Sequence, residues 1–342
     1  MRRHIVVTRG MIFRVSLQLF ILFGVVSIIS LLVGKVSIDV SRGLESLLFG
    51  WCEGSSLLSP SEKTIIFTIR LQRVLFAGIV GAALSVAGVI FQGLLRNSLA
   101  EPFVLGISGG AAVGAIIGIV AGLGSLSFGI PALAFSGAAL TVFLVFVIGR
   151  SGGRFDSNVM LLAGVIVNAF FSATIMFFIS ISSNADLHGI TFWLMGNLGL
   201  VNGMQLIVTA AVVCAGSAWI WCYGRALNLI ATGEETALQL GVEVQKTKIV
   251  LFIAASFITA AAVSFAGIIG FVGLMIPHMM RMLLGSDNRI LIPASFLFGA
   301  SFLVAADTVA RTIVPHAELP VGVITASCGA PYFIYLLRRK VR

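Results

Sequence analysis

Arg70 and Arg73 stand three apart at the start of one apolar run and Arg311 closes another, and guanidinium groups so placed can grip carboxylates in bidentate fashion. Two readings stay open for them. Each side chain can snorkel from a helix end towards lipid headgroups, or the set can form an electrostatic socket for acidic residues of an extracytoplasmic partner. A second candidate is the polar segment from Leu227 to Gly241. There Glu234 and Glu235 follow Gly233, where carboxylates suit the positive end of a helix dipole. A short amphipathic helix at this place suits docking into a groove on a soluble subunit, although any loop can hold such a helix. Metal chemistry finds no ligand set. His278, in Ile276-Pro-His-Met-Met280, has no carboxylate or cysteine at ligand spacing, and Cys52, Cys214, Cys222 and Cys328 lie far apart. No GxxxxGK[ST] occurs among the 38 glycines, so no loop here cradles the phosphates of ATP, and no catalytic residue is assigned.

The elements that must hold these residues are set by composition. Of 342 residues 58% are hydrophobic and 10% charged, and the mean hydropathy is +1.10, too apolar for one soluble core. The chain reads as an all-α polytopic membrane protein, a single transmembrane domain over residues 1–342. Apolar stretches fall at about 12–34, 74–95, 103–123, 130–149, 158–181, 206–223, 249–268, 270–284, 291–306 and 319–337, roughly ten crossings of a 30 Å hydrocarbon layer. The stretch 249–284 is long for one span and short for two, and Gly267, Gly270, Gly273 and Pro277 predict a break in it. Residues 1–34 read as a retained first span, since Arg14 and Gln18 intrude and no small-residue cleavage site follows.

An even number of crossings puts both termini on one side. Arg2, Arg3 and Arg9 with Arg338, Arg339, Lys340 and Arg342 make that side the cytoplasm, and most of the 22 basic residues then fall inside. Residues 35–68 and 182–203 become outer loops, the second with a semi-apolar piece, Phe192-Trp-Leu-Met195, too short to cross. Residues 225–248 become an inner loop. The net charge of +9 does not imply nucleic acid, because the basic residues are dispersed between apolar stretches. Asp and Glu are absent from residues 103–155, 187–233 and 244–286, which argues against a proton relay inside the spans, Asp307 being the one acid close to a span interior. Ser85-Val-Ala-Gly-Val-Ile90 and Ser264-Phe-Ala-Gly-Ile-Ile269 resemble each other, as two inverted five-helix repeats would require, and as small-residue helices also do by chance.

Several segments in order resemble one family. They are Arg70-Leu-Gln-Arg73, Gly81-Ala-Ala-Leu-Ser-Val-Ala-Gly88, Leu95-Arg-Asn-Ser-Leu-Ala-Glu-Pro-Phe-Val-Leu-Gly-Ile-Ser108 and Gly233-Glu-Glu-Thr-Ala237. Gly270-Phe-Val-Gly-Leu-Met-Ile-Pro-His278, Ala306-Asp-Thr-Val-Ala-Arg311 and Glu318-Leu-Pro-Val-Gly322 complete the set. The chain is similar over nearly its whole length to the permease subunits of ABC importers for ferric siderophores, haem and cobalamin.

The resemblance implies a homodimer of ten-helix subunits in the inner membrane of a bacterial cell, two cytoplasmic ATPases that carry the ATP and magnesium, and a periplasmic or lipid-tethered binding protein. The chain itself would hold no cofactor. Ferric siderophore is the favoured cargo only because that subgroup is the largest. By the same resemblance Arg70, Arg73 and Arg311 match docking arginines for the binding protein. Asn97, Leu99, Ser157 and Asn158 match a cytoplasmic gate, and Ser182 and Ser183 the outer pathway. Gly233, Glu234, Glu235, Ala237, Leu240 and Gly241 match the coupling contact with the ATPase. Ser98 stands where the family has proline, and Asn158 where it often has a small hydroxyl residue, so gate shape is left open.

Overall fold

The computed structural model describes residues 7–36, 39, 41, 58–151, 154–199, 201–314 and 317–341. Arg2, Arg3, Cys52, Arg342 and most of the expected outer loop 35–68 lie outside the described residues. Helix α1 (Arg9–Leu32) is followed by α2 (Pro60–Leu94), which is wound as a π-helix over Thr64–Arg70. Next come α3 (Ile107–Val120), α4 (Gly129–Ile148) and a two-residue antiparallel ribbon pairing Arg150 with Phe155. Helices α5 (Ser157–Ile181), α6 (Asn184–Met195), α7 (Gly203–Cys222), α8 (Gly224–Thr232) and α9 (Glu234–Gln239) lead to α10 (Val244–Ala266). The chain closes with α11 (Val272–Leu284), α12 (Asn288–Thr312) and α13 (Val321–Val341). Each apolar stretch read from the sequence carries a helix. Seven of these, α1, α2, α4, α5, α7, α10 and α12, are long and apolar enough to cross a membrane, whereas α3, α11 and the apolar part of α13 are shorter.

The helix starts are written in the sequence. Thr8, Asp156 and Asp287 each accept a backbone N–H of the first turn of α1, α5 and α12, and Asn202 with Gln205 forms a reciprocal capping box on α7. The expected break in 249–284 is present. Gly267 has φ 71°, a short extended stretch follows, and Phe271 with φ 67° opens α11. The end of α6 closes the break, because Ile268 N–H donates to the Trp193 carbonyl at 3.4 Å and Asn197 N–H to that of Ala266 at 2.8 Å. Irregular backbone at such a depth is tolerated only when protein surrounds it. The two similar segments do not occupy equivalent places, since Ser85–Ile90 lies in the middle of α2 while Ser264–Ile269 runs over the end of α10.

Helix α2 is the centre of the molecule. Its most apolar window is 89% buried, against 17–28% for α1, α4, α5 and α7, which face outward. Small residues permit this enclosure: a Cβ on Gly81 would strike the Gly299 carbonyl of α12, and one on Gly88 the Gly273 carbonyl of α11. Helices α10 and α7 cover the remaining sides.

Pro277 and Pro293, inside α11 and α12, each leave a carbonyl without its helical donor, and a side chain supplies the missing bond. Pro277 cannot donate to Gly273, four residues earlier, and Gln92 Nε2 of α2 reaches that carbonyl at 3.4 Å and the next at 3.2 Å. The Gln92 Oε1 in turn accepts from Arg281 at 2.8 Å. Pro293 likewise frees the Arg289 carbonyl, and Trp221 Nε1 donates to it at 2.8 Å. Gln92→Leu should therefore lower stability by about 1–2 kcal/mol, within the range measured for polar contacts inside membranes. Thermal unfolding in detergent reads this directly, and an unchanged midpoint would mean that the Gly273 carbonyl does not need its partner.

Candidate functional site

The arginines expected to dock a partner meet at one end of the bundle, within electrostatic reach of one another. Arg70 sits in the last π-turn of α2, which aims it at α1. It is 5% exposed, and its guanidinium donates to the carbonyls of Leu31 at 2.7 Å, Leu32 at 3.0 Å and Val36 at 2.7 Å. The first two are orphan carbonyls of the end of α1, and a cation there also suits the helix dipole. Arg73, one turn further, faces α12. Its Nε is 3.1 and 3.0 Å from the two Asp307 oxygens and its Nη1 is 2.8 Å from Glu318. Arg311, one turn beyond Asp307, lies 3.2 Å from the same carboxylate and donates to the Ser30 hydroxyl at 2.7 Å. Lys35 approaches Glu318 at 3.9 Å.

Three cations, Arg73, Arg311 and Lys35, thus meet two carboxylates, with Arg70 close by, but Arg70 and Arg311 are buried against the chain's own groups. The groups that face outward are Glu318 and Lys35, at 47% and 38% side-chain exposure. Partial burial opposes the charge on Glu318, yet the hydrogen bond and charge of Arg73, with Lys35 behind, outweigh it and hold the carboxyl below its ordinary value of 4.5. A carboxylate whose pKa falls on folding keeps its link above that ordinary value and loses it as the pH drops through the lowered one. Asp307 was visible in the sequence, and its i, i+4 spacing to Arg311 was the signal for an internal partner.

At the opposite end lie the residues expected to form a gate. Arg96 turns the chain out of α2 with φ 48°, and Asn97 Oδ1 accepts the Leu99 N–H at 2.9 Å, leaving Leu99 55% exposed. The Ser157 hydroxyl donates to the Leu94 carbonyl at 3.0 Å, which ties the start of α5 to the end of α2. Asn158 is exposed, and its N–H is held by Asp156. Ser182 and Ser183 sit between α5 and α6 with their hydroxyls engaged locally, Ser182 on the Phe178 carbonyl and Ser183 on Asp186.

The segment expected to make the coupling contact folds as α8, the turn at Gly233 and α9. Ala237 is fully buried with Ile230 and Val244, whereas Glu235, Leu238, Leu240 and Gly241 are exposed. Leu238 on α9 and Leu240 just past its end leave a small apolar spot exposed on an otherwise polar segment. The structure adds residues that the sequence did not single out. Glu234 Oε1 takes Lys248 Nζ at 2.7 Å, and Arg96 approaches the same oxygen at 3.5 Å while also reaching the Ile230 carbonyl at 3.4 Å. One carboxylate therefore joins the turn after α2, the coupling segment and α10.

Removing the acid shared by Arg73 and Arg311 leaves two arginines side by side in a buried place. Asp307→Asn should cost about 3–5 kcal/mol, as breaking a buried ion pair does. Glu318→Gln, half exposed, should cost less than about 1 kcal/mol. Thermal unfolding of both variants separates these outcomes, and equal small shifts would show that the cluster does not hold α2 to α12.

The sequence model of the FecCD transport family matches residues 21–339. A cobalamin import system permease protein, BtuC of Halobacterium salinarum, is 44% identical over 284 residues, 82% of this chain and 76% of that one. The uncharacterized ABC transporter permease YvrB of Bacillus subtilis is 41% identical over 298 residues, covering 86% and 84%. A vitamin B12 import system permease, BtuC of Klebsiella pneumoniae, is 39% identical over 307 residues, covering 87% and 91%. A solved structure described as an inward-facing metal-chelate type ABC transporter superposes with a TM-score of 0.81 at 31% identity, over 96% of this chain and 99% of that one. With a match that spans nearly every described helix, the chain belongs to the FecCD transport family and is a permease subunit of an ABC importer.

Proposed function

We propose that two copies of this chain form the translocation path of an importer in the plasma membrane, with both termini in the cytoplasm. Two cytoplasmic ATPases, which carry ATP and magnesium, sit on one face and a substrate-binding protein on the other. In this reading α3, α11 and α13 also cross, giving ten spans in two inverted halves. Supporting it, α3 and α11 are both short, both follow an unwound stretch, and both start from a left-handed residue, Gly106 at φ 77° and Phe271 at φ 67°. Broken helices of this kind recur in transporters built from inverted repeats.

The observation that carries the mechanism is the junction at Glu234. An ATPase gripping Leu238 and Leu240 would move a segment ionically bound to Arg96, the residue that leads into Asn97 and Leu99. Ser157 couples the same turn to α5, so closure and opening of the gate follow from a shift of the coupling segment. On the outer face, Arg73 engages acidic groups of the binding protein only where these take the place of Glu318. Arg70 and Arg311 act by holding α1 and α12 against it.

For the cargo we favour cobalamin, because relatives at 44% and 39% identity are named cobalamin and vitamin B12 permeases. A ferric siderophore is the second reading, favoured by the metal-chelate type transporter that superposes on this chain; haem shares the same scaffold class.

Two measurements test these readings. Cells lacking the chain, with its ATPase and binding protein retained, should lose uptake of labelled cobalamin while ferric siderophore and haem enter as before; loss of siderophore uptake alone would move the assignment to iron. Glu234→Gln should reduce uptake about tenfold, equivalent to about 1.4 kcal/mol of coupling, while the assembled complex still hydrolyses ATP. Glu235→Gln, at an exposed position, should behave like the wild type. Normal transport by Glu234→Gln would count against the junction as the route of coupling.

A further inference from the structure

A cavity of about 770 Å³ opens where the first turns of α1 and α12 meet the last turn of α7 and the start of α8. Its polar rim is Arg9, Arg225 and Arg289, and its wall is apolar, with Ile12, Phe13 and Pro293. The three cations are not equivalent. Arg289 is neutralised by Asp287, Nε at 3.0 and 3.1 Å from its two oxygens, and also reaches the Val7 carbonyl at 3.4 Å. Asp287 is further held by Asn228 at 2.7 Å, which leaves it turned towards its own cluster. Among the described residues Arg9 and Arg225 have no acidic partner, and both are exposed. The cavity therefore carries an uncompensated positive charge.

Its position identifies the occupant. Three spans end or begin at this level, so it lies where hydrocarbon gives way to headgroups. Trp221, 46% exposed, stands at the rim with its indole N–H fixed on the Arg289 carbonyl, the placement expected of an interfacial tryptophan. Away from the rim the wall continues into the outward-facing apolar surface of α1, where Phe13 is 70% and Phe20 60% exposed. A ligand that matches this layout has a monoanionic phosphate at one end and an alkyl chain at the other. Basic pockets between helices on the positively charged side of a membrane protein have that chemistry.

We propose that this cavity is a binding site for one anionic phospholipid per chain, with the phosphate on Arg9 and Arg225 and an acyl chain along Ile12, Phe13 and Pro293. The site takes Arg225 from the first turn of α8 but none of the residues assigned above to the gate or to the coupling contact, and it is tested on the chain alone, independently of cargo and ATPase.

The test is native mass spectrometry of the full chain, stripped of lipid in detergent and titrated with phosphatidylglycerol, phosphatidylcholine or glycerol 3-phosphate. One phosphatidylglycerol should bind per chain at concentrations where phosphatidylcholine does not. Arg9→Gln with Arg225→Gln should weaken it about 30-fold, at about fivefold for each surface cation, and leave weak phosphatidylcholine binding unchanged. Arg9→Lys with Arg225→Lys keeps the charge and should keep most of the affinity, so a folding defect is distinguishable from loss of the site. Equal binding of the two lipids, wild-type affinity in the Gln pair, or a Lys pair as weak as the Gln pair would overturn the proposal. So would displacement of the lipid by glycerol 3-phosphate, which would make the site one for soluble phosphate esters.

Discussion

A peptide group surrounded by hydrocarbon has no water to bind, so every carbonyl freed by a proline or a helix end must find a donor in the protein. Much of the polar chemistry in this chain answers that requirement. Gln92 serves the carbonyl freed by Pro277, Trp221 serves the one freed by Pro293, and Arg70 serves the end of α1. Residues that stand out in an apolar sequence because they are polar prove, in these three cases, to be partners of the backbone. Their service also fixes the helices to one another, since each donor comes from a different helix than the acceptor.

The two charged clusters flank the enclosed stretch of α2. Arg73 at one end shares Asp307 and Glu318 with α12 and the chain that follows it, while Arg96 at the other meets Glu234 and, through it, Lys248 of α10. Between them runs a helix enclosed by its neighbours, with close backbone contacts at Gly81 and Gly88. Both faces of the molecule therefore have a hold on the same rod, and neither hold lies in the apolar middle, where a charge would be costly.

Hydropathy alone made the helical membrane fold legible, because lipid imposes a length and a composition that few other environments demand. The break near Gly267 and Pro277 was legible for the same reason, as was the interior rank of Asp307. The roles within the site were less so. That Arg70 and Arg311 turn inward depends on the π-winding at Thr64–Arg70 and on Ser30, more than 250 positions from Arg311, and nothing local encodes either. The Arg96–Glu234 contact likewise spans 138 residues of chain between polar positions that read separately as solvated loops. Trp193, in the semi-apolar piece too short to cross, packs partly buried on the core, and the helix it belongs to closes the backbone break.

The enclosure of α2 has a consequence for how the protein is made. The helix emerges from the ribosome second among the spans, yet the surfaces that cover it belong to α7, α10, α11 and α12, all synthesised later. Until they arrive, a glycine-rich helix with Arg70, Arg73 and Gln92 must wait in the bilayer or at the insertion machinery without its final neighbours. Native assembly therefore has to be largely post-insertional, with long-range contacts forming last, and a chain truncated before α12 would leave its own centre uncovered.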